Sequence, residues 1–167
     1  MTVDEDGSTI KVLVLDDEKD FLDLCREFIG RERGLEVDYA TSPAKALNML
    51  ATDDYQVVVS DHNLPGMDGL QFLKAMRSIK SKPFVLITGH GREALAIDAL
   101  HNGADFYLEK AGNPAGMFEQ MLRAIKALGS PVRKITDCLS DPFQVFSAGG
   151  VLFISNSGER VMAAASR

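Results

Sequence analysis

The sequence predicts an α/β fold built on a doubly wound parallel sheet. Three observations predict it. Five short apolar runs alternate with five longer runs whose apolar residues recur at helical spacing. The links between runs are short, which suits parallel strands joined by right-handed crossovers. Three of the short runs are continuous and two alternate with polar residues, so three strands are central and two are edges.

Each element has its own reason. Lys11–Leu15 (KVLVL) is a continuous apolar run after a polar lead, hence a buried strand. Phe21, Leu22, Cys25, Phe28 and Ile29 then recur as one face of a helix. Leu35–Ala40 alternates, as a half-buried strand does. Ser42-Pro43 pairs an N-cap with a first-turn proline and opens a helix through Leu47 and Leu50. Gln56–Ser60 is β-branched at its centre, and Pro83–Thr88 is apolar throughout, so both are central strands. Between them Leu70, Leu73 and Met76 mark a helix. Ala94, Ile97 and Leu100 mark the next, which stops near Gly103. Asp105–Lys110 alternates again, and Asn113-Pro114 caps a last helix carrying Phe118, Met121, Leu122 and Ile125. Placing the alternating second and fifth strands at the edges gives the order 2-1-3-4-5, the flavodoxin-like arrangement.

Composition narrows the function. The chain has 167 residues, 46% of them hydrophobic, and a net charge of −6. That balance makes nucleic acid a poor first partner. No apolar run reaches the ~20 residues of a membrane span. Cys25 and Cys138 make no disulfide framework, so reduced thiols and a cytoplasmic setting are expected. Up to Ser130 there are 14 basic and 21 acidic residues; after it there are 4 and 3. This shift meets a turn signal at Gly129-Ser130-Pro131, where a boundary is expected.

In such a sheet ligands bind outside the carboxyl ends of the strands. The first strand ends in Asp16-Asp17-Glu18, the third in Asp61-His62-Asn63, the fourth in Thr88-Gly89-His90 and the fifth in Lys110. Three carboxylates repel one another unless a cation sits among them, and hard oxygen ligands suit Mg²⁺ completed by phosphate oxygens. Lys110 can neutralise a phosphoryl oxygen as a point charge, and Thr88 can donate to another. Asp61 lies on the central strand, and a carboxylate attacking phosphorus gives an aspartyl phosphate. Blander readings stand beside these. Asp16 and Asp17 could cap the first helix, Thr88 could be an ordinary strand end, and Tyr107 a plain edge aromatic. His62 and His90 read as solvated loop residues rather than metal ligands.

The motifs VLVLDDE (Val12–Glu18), VVVSDHNLPGMDG (Val57–Gly69), LITG (Leu86–Gly89) and FYLEK (Phe106–Lys110), in this order, resemble those of the receiver domains of two-component response regulators. The resemblance implies a phosphoacceptor module that takes a phosphoryl group from a sensor histidine kinase or phosphotransfer protein and changes shape. Such a module is a switch, contributing catalysis only to its own phosphorylation and dephosphorylation. Carried across, Asp61 is the phosphoacceptor and Asp17 a direct Mg²⁺ ligand. Asp16 is a second acid acting mostly through water, and the backbone carbonyl of Asn63 completes the protein ligands. Lys110 pairs with the phosphate, Thr88 and Tyr107 form the switch pair, and His90 sits where such domains modulate dephosphorylation. One departure stands out: similar domains follow the lysine with proline, where this chain has Ala111. Two other classes fit less well. A haloacid-dehalogenase-like phosphatase needs D-x-D after the first strand. A flavin binder needs a phosphate-cradling loop where Asp16, Asp17 and Glu18 would repel the phosphate.

The expected division is a tail over 1–9, the receiver over 10–129 and an extension over 130–167. In the extension VRKITDCL reads as a short helix, Phe143–Ser147 and Val151–Ser155 as a hairpin, and Asn156–Ala165 as helical. This resembles the truncated opening of a PAS sensor domain. A lone hairpin is marginal in water, so self-association through the extension is expected.

Overall fold

The computed structural model describes residues 9–89, 93–110 and 112–129, and the strands at 144–148, 151–156 and 159–164 as backbone. Five strands and five helices alternate: β1 (Ile10–Leu15), α1 (Lys19–Phe28), β2 (Leu35–Ala40), α2 (Pro43–Thr52), β3 (Val57–Asp61), α3 (Gly69–Ile79), β4 (Phe84–Thr88), α4 (Glu93–His101), β5 (Phe106–Glu109) and α5 (Pro114–Gly129). The strands form one parallel sheet in the order β2-β1-β3-β4-β5, as the sequence predicts.

The period of two in the central strands divides the core between the sheet faces. Val12, Val14, Val57, Val59, Val85 and Ile87 share one cluster with Leu22 and Cys25 of α1 and Phe118, Met121 and Ile125 of α5. Leu13, Leu15, Val58 and Leu86 share the other with Leu50 of α2, Phe72, Leu73 and Met76 of α3, and Ala96 and Ala99 of α4. Because helices cover both faces, Val12–Leu15 of β1, Val57–Val59 of β3 and Phe84–Ile87 of β4 are continuous apolar stretches, which is why their sequences do not alternate.

Local signals set the helix starts. Ser42 Oγ accepts from Lys45 N at 3.3 Å with Pro43 in the first turn. Asn113 Oδ1 accepts from Ala115 N at 3.1 Å. Asp68 and Gln71 form a reciprocal capping box at α3. This pins the end of the β3–α3 loop, where Gly66 has φ +78°, a conformation that favours glycine.

A second, three-stranded antiparallel sheet follows: β6 (Gln144–Ala148), β7 (Val151–Asn156) and β8 (Glu159–Ala164). The hairpin is as expected. The helix expected over Asn156–Ala165 is not: residues 159–164 form a strand paired from Asn156↔Glu159 to Val151↔Ala164. Only Ser157 and Gly158 separate the paired ends, and such a pair is a hairpin turn signal. Among the described residues the strand–strand–helix order behind the PAS resemblance is therefore not found, and that resemblance is not supported. The VRKITDCL segment, the Gly129-Ser130-Pro131 boundary beyond Gly129, His90, Ala111 and Cys138 lie outside the described residues. Among the described residues no helix is long and apolar enough to cross a membrane.

Candidate functional site

The sheet order places the ends of β1, β3, β4 and β5 side by side, and their terminal residues form the site. Asp16 follows β1 directly and Asp61 is the last residue of β3. Thr88 is the last residue of β4, and Lys110 follows β5. Backbone bonds hold these ends in the sheet: Asp16 N donates to Ala40 O of β2 at 3.1 Å, His62 N to Ile87 O at 2.8 Å and Lys110 N to Thr88 O at 2.7 Å.

Asp16 is 1% exposed and both its oxygens are engaged. Oδ1 accepts from Glu18 N at 2.8 Å and Oδ2 from Lys110 Nζ at 2.6 Å. Burial pushes its carboxyl up to about 6, outweighing the opposite pull of Lys110 and the Glu18 N–H. Asp61 is 3% exposed. Its Oδ2 accepts from Asn63 N at 2.7 Å, and its Oδ1 stands 3.0 Å from Lys110 Nζ, an ion pair. For Lys110, burial works against the charge, but Asp16 and Asp61 overcome it and raise its pKa. Asp17 is exposed beside this pair. Glu18 is the N-cap of α1 and makes no side-chain cap, and Asp16 spends its oxygens on Glu18 N and Lys110.

One carboxylate oxygen from each of Asp16, Asp17 and Asp61 lies within 4.8 Å of the others. Three hard oxygens at that spacing fit a small divalent cation of the Mg²⁺ kind. Lys110 alone leaves the three acids with an excess of negative charge, which such a cation would offset.

Thr88 and Asn63 lie at the same edge, and Tyr107 lies within β5, below it. Thr88 is buried, one residue beyond the Asp61↔Ile87 register pair. Tyr107 pairs with Leu86 in register and its ring is buried in the α2–α3–α4 side of the core. Asn63 is exposed in the loop after β3. His62 is not the solvated loop residue expected: it is half-buried, its Nδ1 is enclosed without a hydrogen bond, and its carbonyl accepts from Leu64 N and Gly69 N.

Two residues near the site escaped the sequence reading. Gly69 packs so tightly that a Cβ there would stand 2.7 Å from Asp61 O and 2.9 Å from His62 Cα. Phe21 places its ring centroid 4.1 Å from Lys110 Nζ. The glycine lay inside a recognised motif, but its close approach is visible only in three dimensions. The spacing places the phenylalanine on the apolar face of α1, and nothing local shows which residue it meets.

The family model for the response regulator receiver domain matches residues 12–122. The transcriptional regulatory protein SrrA of Staphylococcus aureus (strain NCTC 8325 / PS 47) is 30% identical over 132 residues, covering 79% of this chain and 53% of the relative. The chain thus spans about half the length of the curated relatives it matches. Among solved structures, the chemotaxis protein CheY4 of Vibrio cholerae is 27% identical with a TM-score of 0.64, over 72% of this chain and 99% of that one. The response regulator domain of Thermotoga maritima CheB shares the fold with a TM-score of 0.66 at 21% identity, over 72% of this chain and 96% of that one. With strand order, site composition and family match in agreement, the chain belongs to the response regulator receiver domain family.

Proposed function

We propose that this chain is a phosphoacceptor switch in which Asp61 takes a phosphoryl group from a phosphohistidine of a sensor histidine kinase or phosphotransfer protein. The observation that carries this reading is Lys110 Nζ bridging Asp16 Oδ2 at 2.6 Å and Asp61 Oδ1 at 3.0 Å, beside Asp17. A buried carboxylate held next to a fixed cation is poised as a nucleophile whose product charge is already met.

The chemistry balances simply. An Asp61 oxygen attacks phosphorus, the P–N bond breaks, and its electron pair leaves with the imidazole. Asp16, Asp17, Asp61 and the Asn63 carbonyl would hold Mg²⁺, which when bound offsets charge on the phosphoryl oxygens. Lys110 moves from its carboxylate partners to a phosphoryl oxygen. Asn63 N keeps its hold on Asp61, so the acceptor does not swing as it reacts. Thr88 follows the phosphoryl group with its hydroxyl and Tyr107 reads that movement, which makes the module a switch rather than a turnover enzyme. Contact with nucleic acid forms no part of this reading, since a net charge of −6 opposes it.

Residues 10–129 are the unit proposed to act, and the sheet in 130–167 is proposed to associate with a second copy through its outer strands, β6 and β8. Incubation with phosphoramidate and Mg²⁺ tests the main reading. One phosphoryl group per chain is expected, and none once Mg²⁺ is chelated. Failure to incorporate phosphate with the metal present overturns it.

A further inference from the structure

We propose that Phe21 is a positioning residue for Lys110, its ring face serving as a seat over which the ammonium turns from Asp16 towards a phosphoryl group on Asp61. This rests on the phosphoacceptor reading above. Lys110 Nζ lies 4.1 Å from the Phe21 centroid while it contacts Asp16 at 2.6 Å and Asp61 at 3.0 Å. The Lys110 side chain is 12% exposed and Phe21 is 8% exposed. Water is therefore largely shut out, and attraction between a cation and a ring face is strongest where both are desolvated.

The physical value of the ring lies in what it does not demand. A lysine stem is flexible and its ammonium has three donors that can point many ways. Asp16 holds it through a directional hydrogen bond, which resists a change of partner, and Asp61 Oδ1 holds it as an ion pair. The ring face attracts the whole positive charge, with no N–H assigned to it. The ammonium can therefore rotate its donors onto new oxygens without leaving the seat. The seat itself is fixed. The Phe21 ring stacks on Phe118 at 5.9 Å and 21°, and Phe118 stacks on Phe28 at 4.7 Å and 6°. Phe118 is 1% exposed, so the stack is anchored in the core on α5.

Phe21 also belongs to that core, and a plain packing role must be separable from the electrostatic one. Fluorination separates them, because it drains the negative ring face while leaving the ring's shape almost unchanged. Replace Phe21 in the full chain with 4-fluoro-, 3,5-difluoro- and 3,4,5-trifluorophenylalanine, and include Phe21→Leu. Measure the rate of phosphorylation by phosphoramidate with Mg²⁺, the melting temperature, and the proton shifts of the Lys110 ε-methylene without metal. The logarithm of the rate is expected to fall stepwise with each fluorine, reaching a loss of about threefold to thirtyfold, at constant melting temperature. The ε-methylene protons should be shifted upfield by the ring and lose that shift in Phe21→Leu. A flat rate across the series, in a chain that is still phosphorylated, overturns the inference. So does the absence of an upfield shift. If the unsubstituted chain takes no phosphate at all, the phosphoacceptor reading itself has failed, and the inference falls with it.

Discussion

Lys110 Nζ and Asp16 Oδ2 meet at 2.6 Å across a separation of 94 residues, one following the last strand of the parallel sheet and the other the first. Asp16 is almost wholly enclosed, and both of its oxygens are committed. Its neighbour Asp17 is exposed and faces the same site. Two adjacent acids thus have different environments, and the difference has consequences for metal binding.

Asp17→Ala should weaken Mg²⁺ binding more than Asp16→Ala does. Asp17 has an oxygen free of the contacts that occupy Asp16, so it is the better direct ligand. Loss of a ligating carboxylate should lower affinity by at least about tenfold. Titration of both variants with Mg²⁺, followed by intrinsic tyrosine fluorescence or calorimetry, checks the order. Equal losses would place both acids in the same role.

Gly69→Ala should destabilise the chain by about 1–3 kcal/mol, as overpacking does. The added Cβ would meet Leu86 Cδ1 at 2.6 Å, but also Asp61 O at 2.7 Å, and the backbone there cannot retreat without moving the acceptor. Gly116→Ala should act in the opposite sense. It lies within α5 with open space where a Cβ would go, so alanine should add about 0.5–1 kcal/mol. Urea unfolding of the two variants tests both signs. Phosphorylation should slow in Gly69→Ala alone.

These two glycines show where the sequence was legible and where it was not. The order of the five strands followed from which apolar runs alternate, and the site followed from which residues end those runs. Ser42-Pro43 and Asn113-Pro114 announced their helices because capping is local chemistry. The capping box of Asp68 and Gln71 was equally local, and its D-x-x-Q spacing was there to be read. The contacts of Gly69 with β3 and of Phe21 with Lys110 join residues far apart in the chain, and no local pattern encodes them. Residues 159–164 went the wrong way for another reason. Their run of small and apolar residues suits a helix by propensity, but antiparallel pairing of 159–164 with β7 prevails.

Stability should fall as the pH rises from about 9 towards 12. Burial pushes the Cys25 thiol up to about 12, with the Asp16 charge adding to the shift, whereas in the unfolded chain it ionises near 9.0. Between those values the unfolded state loses a proton that the folded state keeps, so alkali favours unfolding. The effect grows to about 4 kcal/mol at the upper end. Tyr39, raised by burial to about 12, acts in the same direction. Urea midpoints between about pH 8 and about pH 11 should decline, and less steeply in Cys25→Ala. A midpoint independent of pH would contradict the burial argument.

Self-association should depend on the extension. Sedimentation of the full chain over a range of concentrations should show a dimer that is absent from a chain ending at Ser130. Monomers in both cases would remove the second sheet from the proposed partners.

The central claim is that Asp61, and no other carboxylate of the site, accepts the phosphoryl group. The most direct test is to phosphorylate the chain with phosphoramidate and Mg²⁺, reduce the acyl phosphate with borohydride, and map the product by mass spectrometry. The account predicts homoserine at position 61 alone, and an Asp61→Asn chain that takes no label. Modification at Asp16 or Asp17, or full labelling of Asp61→Asn, would contradict it.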